Sequence, residues 1–260
     1  MEANIPQKPS ILSALRESKI SIVVPIYNEG ANIIHNLEML IAEIDPYFNQ
    51  YEVIVVDDGS SDNTPEILAT HPYPSVRILR YSPNRGKGFA VRRGFQEATG
   101  DLVFFIDGGM ELHPKELRIF LALRDLYNAD IVVGSKRHPQ SEVAYPWYRR
   151  GLSVAYQKCM KRLFQLDVTD TQVGIKLFRK EVLDAILPEM TIDRYGFDLE
   201  ILVLARKHGF TKMLEAPVRL DYFMDNKRNL FSDLLHVAKI SGFVMKDTMR
   251  IYARTRTLGR

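Results

Sequence analysis

Cysteine is nearly absent: the 260 residues include one, Cys159. A lone thiol excludes an intrachain disulfide and a cysteine-based zinc cluster, and it fits a reducing, intracellular compartment. An excess of either charge is also missing. Lys and Arg number 35 against 32 Asp and Glu, a formal net charge of +3, so a wholesale nucleic-acid binder is not expected. No run approaches the ~18 uninterrupted apolar residues of a membrane-spanning helix. Met1 to Ser18 scatters charges where a secretory signal would carry an apolar core. The chain is therefore expected to be soluble or to lie on a membrane surface. The six histidines, His35, His71, His113, His138, His208 and His236, are dispersed without paired metal spacing. The Gly-x4-Gly-Lys-Ser/Thr phosphate loop is absent, and so is a Gly-x-Gly-x-x-Gly after the first apolar run, which argues against a nicotinamide or flavin dehydrogenase.

What is present is a repeated unit. With 46% hydrophobic residues the chain can bury a substantial core. Four short apolar runs, Ile20–Val24, Val53–Val56, Val76–Leu79 and Leu102–Ile106, each stop at a polar cluster and then pass into a stretch of helical character. Helices are expected at 30–44, 63–70, 88–98, 114–127, 146–165, 180–187 and 197–208. Further strands are expected at Ile131–Val133, Val173–Phe178 and Met213–Leu220. Strand, loop and helix in alternation define an α/β fold, a mostly parallel sheet with right-handed crossovers. The polar clusters then emerge together at the carboxyl edge of the sheet, where ligands bind. We expect an N-terminal lead at 1–18, one α/β domain at 19–225 and a distinct tail at 226–260.

The clusters carry chemistry. Tyr27-Asn28-Glu29-Gly30 offers an aromatic face and polar groups suited to a nucleobase; an ordinary helix start capped by Asn28 is the plainer alternative. Asp57 and Asp58 end the second run and could accept hydrogen bonds from a base or ribose, although Asp-Gly-Ser-Ser-Asp is also good turn chemistry. Asn84-Arg85-Gly86-Lys87-Gly88 precedes a helix and could meet a phosphate. Asp107 directly follows Val103-Phe104-Phe105-Ile106, so its carboxylate sits at the mouth of the sheet. It could hold Mg²⁺ or Mn²⁺ there, with Glu111 as a second oxygen donor.

The tail differs. Leu230, Leu234, Val237 and Ala238 recur at helical spacing, as do Val244, Thr248 and Tyr252, with a break expected at Ser241-Gly242. From Lys246 onward the bases Lys246, Arg250, Arg254, Arg256 and Arg260 face a single acid, Asp247. Such a helix either lies in a membrane interface or packs on the body and ends in a solvated basic strip.

Taken in order, these segments resemble the family 2 glycosyltransferases with the GT-A fold. The pieces are Val24-Pro25-Ile26-Tyr27-Asn28-Glu29, Val55-Val56-Asp57-Asp58-Gly59-Ser60-Ser61-Asp62-Asn63-Thr64, Asn84-Arg85-Gly86-Lys87-Gly88 and Asp107. Within that family the chain is most similar to the polyprenol-phosphate (dolichol-phosphate-type) mannose and glucose synthases, through Asp170-Thr171-Gln172-Val173-Gly174-Ile175-Lys176-Leu177-Phe178 and Phe197-Asp198-Leu199-Glu200. The resemblance implies that Pro25, Tyr27, Glu29 and Asp57 hold the nucleotide and that Asp107 binds the metal bridging the diphosphate. It also implies that Lys136 meets phosphate and that Arg149 and Ser153 receive the lipid phosphate. One departure stands out: the second acid of the usual Asp-x-Asp is Gly109 here, and the usual Gln is Glu111.

The reaction so implied is inverting transfer of a hexose from UDP-glucose or GDP-mannose to a polyprenyl monophosphate. A phosphate acceptor needs no strong base; a hydroxyl acceptor would need one, for which Asp198 or Glu200 are the candidates. A glycosyltransferase acting on hydroxyl acceptors and a silent nucleotide-sugar-binding protein are the competing readings. The expected partners are a nucleotide sugar, a polyprenyl phosphate and a membrane surface, with no nucleic acid. A membrane-protein partner and a homo-oligomer are both left open. The expected location is the cytoplasmic face of a membrane, or the cytoplasm.

Overall fold

The computed structural model describes residues 18–143, 160–220 and 230–257. Seven strands form one sheet: β1 (Ile20–Ile26), β2 (Tyr51–Asp57), β3 (Val76–Arg80), β4 (Leu102–Ile106), β5 (Ile131–Ser135), β7 (Ile175–Arg179) and β8 (Met213–Pro217). Their order is β3-β2-β1-β4-β7-β5-β8, with β7 alone antiparallel to its neighbours. Two short strands, β6 (Glu142–Val143) and β9 (Arg219–Leu220), pair separately. The helices are α1 (Ile33–Ile44), α2 (Thr64–Thr70), α3 (Lys87–Glu97), α4 (Leu117–Tyr127), α5 (Lys180–Ile186), α6 (Phe197–Lys207) and α7 (Leu230–Thr257).

Side chains alternate across a strand, and both faces of this sheet are covered. Ile22, Val24 and Phe104 join one core with Leu37, Leu40 and Phe120 from α1 and α4. Val23, Val56 and Phe105 join the other with Phe95, Phe197, Leu202 and Ile251 from α3, α6 and α7. That double burial explains why β1 and β4 read as unbroken apolar runs instead of alternating ones.

Chain order sets where a ligand can go. From β1 the chain winds outward through β2 to β3, then returns to place β4 on the other side of β1. Connections leaving β1 and β4 diverge, and a crevice opens between them at their carboxyl ends.

The sheet is mostly parallel, as expected, and β7 runs against the rest because the chain leaves β5 and re-enters the sheet at the same carboxyl edge; Ile175 pairs with Ile106, the last residue of β4. Two expectations are corrected. The Met213–Leu220 strand is two strands, since the chain turns after Pro217 and the Val218 N–H donates to Ser141 Oγ at 2.9 Å. The tail does not break at Ser241-Gly242: α7 is continuous over 28 residues. A helical glycine is disfavoured by only about 1 kcal/mol against alanine. Burial of Val244, Thr248 and Ile251 outweighs that. The expected helix at 146–165 lies largely outside the described residues, though 160–164 are helical. The 1–18 lead and the 225/226 boundary fall there too, except for Ser18.

Candidate active site

A cavity of ≈ 440 Å³ occupies the crevice between β1 and β4. Pro25 reaches it from the end of β1, Tyr27 and Glu29 from the loop that follows, and Asp107, Gly109 and Glu111 from the loop after β4. Asp58, Asn84, Gly86 and Lys87 complete the strand-end set, while Arg194 and Tyr195 arrive from the loop before α6. Four separate polar clusters of the sequence thus meet at one place.

Asp107 is the centre of the charge pattern. Its N–H donates to the Gly174 carbonyl at 2.9 Å, so the start of antiparallel β7 fixes its backbone. A Cβ at position 174 would overlap the Asp107 carboxylate, so only glycine leaves room for that side chain. Asp107 Oδ1 lies 2.7 Å from the Lys87 ammonium, yet this buried oxygen accepts no aligned hydrogen bond. Burial acts to lower the Lys87 pKa, but Asp107, Asp198 and Glu111 together raise it above the ordinary lysine value, so Lys87 is a fixed positive charge. Burial first, then repulsion from Asp62, Glu111 and Asp107, raises the Glu29 carboxyl.

The acids therefore ask for a cation. Among the described residues no three metal-ligating side chains converge. Asp107, with its under-coordinated oxygen, and Glu111 can offer one or two ligands, which matches the way Mg²⁺-type ions bind when substrate phosphates and water supply the rest. The residues present fit such an ion. Because a raised acid pKa means that the charged form disfavours the fold, Glu29 stabilises below its unfolded pKa of ~4.3 and loses that contribution as pH rises through its folded value. Glu29→Gln should raise the Tm of the metal-free protein at neutral pH, with the gain shrinking to nothing near pH 4. Thermal melts across that range check it; a gain that does not vary with pH would refute it.

Behind Lys87 lies a buried ion pair. Lys176, fully buried on β7, ion-pairs with Asp198 on α6 and donates to the Val173 carbonyl at 2.6 Å. Burial raises the Asp198 pKa against the opposing pull of Lys176 and Lys87. Asp198 does not line the cavity; it stands one side chain back.

Other expected site residues lie elsewhere. Asp57 is fully buried, caps the Ser60 N–H at 2.8 Å and pairs with Arg80 at 3.3 Å, so it does not line the cavity. Its neighbour Asp58 does, but its carboxylate holds Tyr81 Oη at 2.8 Å and the N–H groups of Arg85 and Gly86 at 2.8 and 2.9 Å. Asp58 thereby shapes the Asn84–Gly88 loop. Asn28 is neither a cavity residue nor a helix cap: its Oδ1 accepts from the Ser61 N–H at 2.9 Å, clasping two loops together, and Asn32 precedes α1. Lys136 is half-buried at the end of β5, with its N–H 3.2 Å from Asp170, and is not part of the cavity wall. Arg149 and Ser153 lie outside the described residues.

Glu200 does not line the cavity. It is fully buried, accepts from the Thr191 and Ile192 N–H groups at 3.0 and 2.9 Å and from Thr191 Oγ1 at 3.0 Å, and pairs with Arg254 of α7 at 2.6 Å. The acid closes the turn before α6 and pins the tail to the body. The second half of α7 packs through Val244, Ile251 and Tyr252, the last in edge contact with Phe164 at 5.9 Å. Its other side exposes Phe243, Met245 and Met249 beside Lys246 and Arg250. Sequence reasoning missed Arg194 and Tyr195, which carry no motif and enter the cavity from an irregular loop.

A doubly wound sheet with an acidic cleft at its switch point defines an α/β protein of the nucleotide-binding kind. Comparison with known proteins narrows that class. The chain belongs to glycosyl transferase family 2, whose model matches residues 21–187. It is 30% identical over 237 residues to a dolichyl-phosphate beta-glucosyltransferase of Trichomonas vaginalis, covering 85% of this chain and 69% of that one. It is also 30% identical over 235 residues to a dolichyl-phosphate beta-glucosyltransferase of Dictyostelium discoideum, covering 85% and 72%. Among solved structures it resembles glucosyl-3-phosphoglycerate synthase from Mycobacterium tuberculosis in complex with Mn²⁺, UDP-glucose and phosphoglyceric acid, at a TM-score of 0.67 and 20% identity, over 94% of this chain and 82% of that one. The expected family and the GT-A-like fold are borne out.

Proposed function

We propose that this glycosyltransferase moves a hexose, with inversion, from a nucleotide sugar to a polyprenyl or dolichyl monophosphate at a membrane surface. The observation that carries the reading is the convergence of Tyr27, Glu29, Lys87, Asp107 and Glu111 on one cleft. The names of the two 30%-identical relatives support a dolichyl-phosphate acceptor and favour glucose over mannose. Pro25 and Tyr27 would pack on the nucleoside. Asp107 and Glu111 would hold Mg²⁺ or Mn²⁺, and such an ion supplies counter-charge to a departing diphosphate. Lys87 keeps its positive charge beside the same carboxylate and would neutralise a phosphate oxygen. Lys136, Arg149 and Ser153 stay candidates for the acceptor phosphate.

The buried cavity-lining acid, Asp58, is committed to Tyr81 and to the Arg85 and Gly86 N–H groups, and a monophosphate acceptor requires no general base. Asp198, clamped by Lys176, is a charge-positioning group behind Lys87 in this reading. Supplying UDP-glucose and GDP-mannose in turn with a short polyprenyl phosphate, with and without EDTA, tests the proposal by product mass. A glucosylated lipid phosphate that disappears with EDTA is expected; glycosylation of a sugar hydroxyl but not of the lipid phosphate would overturn it.

The tail bears on location. Among the described residues no helix is long and apolar enough to cross a membrane. The exposed Phe243, Met245 and Met249, flanked by Lys246 and Arg250, give α7 a face suited to anionic lipid. Vesicles containing anionic lipid should float the full chain and leave a truncation before Asn229 in the bottom fraction. Equal flotation of both would refute a membrane role for the tail.

A further inference from the structure

The cavity holds two cationic side chains, and only one is committed. Lys87 is paired with Asp107. Arg194 is exposed, lines the cavity, and no hydrogen bond or ion pair reaches its guanidinium among the described residues. An unpaired guanidinium at the wall of a cleft containing Glu29, Asp107 and Glu111 is not accounted for by folding.

Its backbone, by contrast, is held firmly. Asp193 is clamped by the Arg92 guanidinium at 2.6 Å, and its carbonyl accepts from the Phe89 N–H at 3.1 Å. Arg92 also donates to the Met190 carbonyl at 3.1 Å. The Arg194 carbonyl receives the Phe197 N–H at 3.3 Å. The ledge rests directly on the glycines of the Asn84–Gly88 loop. A Cβ at Gly88 would stand 2.5 Å from the Ile192 carbonyl and 2.9 Å from the Arg194 carbonyl, and one at Gly86 would stand 3.0 Å from Arg194 Cγ. Those two glycines make room for the segment that carries Arg194.

We infer that Arg194 is an acceptor-binding residue: its guanidinium receives the phosphate monoester of the acceptor, a role that rests on the function proposed above. The charges decide between the two phosphate groups that must share the cleft. The donor diphosphate has its own counter-charges in Lys87 and in whatever cation Asp107 and Glu111 hold. An incoming phosphate monoester brings further negative charge into a cleft already lined by acids, and Arg194 is the cavity-lining cation not tied to another group. A guanidinium presents paired N–H donors that match a phosphate in bidentate fashion. Fixing the ledge lowers the entropy lost when the contact forms.

The test is a split of kinetic constants. Arg194→Gln should raise KM for a short polyprenyl monophosphate about 10- to 100-fold, the range expected for a lost charge-assisted pair. KM for the nucleotide sugar should stay within about twofold, and Arg194→Lys should recover part of the loss. Gly88→Ala, which displaces the ledge while keeping the guanidinium, should shift the same constant in the same direction. A rise in donor KM instead would assign Arg194 to the diphosphate and overturn the inference, as would unchanged constants. If the wild-type protein transfers nothing to polyprenyl phosphate, the proposed function fails, yet Arg194 is still decided by calorimetry. A short alkyl monophosphate titrated into UDP-saturated protein should bind wild type and not Arg194→Gln; equal binding would sink the assignment.

Discussion

Asp107→Asn should lower kcat/KM by about 10³-fold, the loss typical when one preorganised electrostatic group at a reacting centre is removed. The change keeps the shape of the side chain and its backbone bond to Gly174, so the fold should survive. It removes the negative charge that the Lys87 ammonium faces at 2.7 Å and the one buried carboxylate oxygen of the cavity without an aligned partner. Binding of Mn²⁺ in the presence of UDP, followed by electron paramagnetic resonance, should weaken in parallel. Glu111→Gln should weaken it less, because Glu111 is exposed and water screens its attraction for a cation. Full activity and full Mn²⁺ affinity in Asp107→Asn would refute the cation role assigned to this cleft. With glycine at position 109, Asp107 and Glu111 are the two acids this loop brings to the cavity.

Glu200→Ala should destabilise the protein by about 3–5 kcal/mol, the usual result of leaving one partner of a buried ion pair behind. Arg254 would lose this ion pair, and the N–H groups of Thr191 and Ile192 would lose their acceptor. For a chain of this size that corresponds to a Tm lower by roughly 10 °C. Because the same carboxylate fixes the turn before α6, acceptor KM should also rise through the displaced ledge, whereas kcat measured at saturating substrate well below the melting range should fall little. A general base would behave oppositely, losing kcat with an unchanged Tm. Thermal melts and initial rates on one preparation separate the two roles.

The contrast between Asp198 and Glu200 shows where sequence reasoning stops. Two residues apart on a helix means about 200° apart around its axis. Asp198 therefore turns toward Lys176 and Lys87, while Glu200 turns toward Thr191 and Arg254. Both read as acids in one acidic segment, and only packing tells them apart. Asp57 and Asp58 show the same limit where a strand ends: Asp57 is the last residue of β2 and Asp58 the first of the loop that follows. The first is sealed in the protein and the second borders the cleft. Arg194 was invisible for another reason: it belongs to an irregular segment, and its position depends on Gly86 and Gly88, more than a hundred residues earlier.

By itself the sequence determined the α/β class, the strands β1 to β4, and the fact that Tyr27, Glu29, Lys87, Asp107 and Glu111 would gather at one edge. Those conclusions follow from local rules: an apolar run buried on both sides must be a central strand, and polar residues at its end must surface where parallel strands finish. The tertiary structure alone decided the reversed direction of β7, which brings Gly174 against Asp107, the unbroken course of α7, and which of two neighbouring acids faces the cleft. Each of these depends on contacts between residues distant in the chain, and the periodicity of a segment contains no term for what will lie against it.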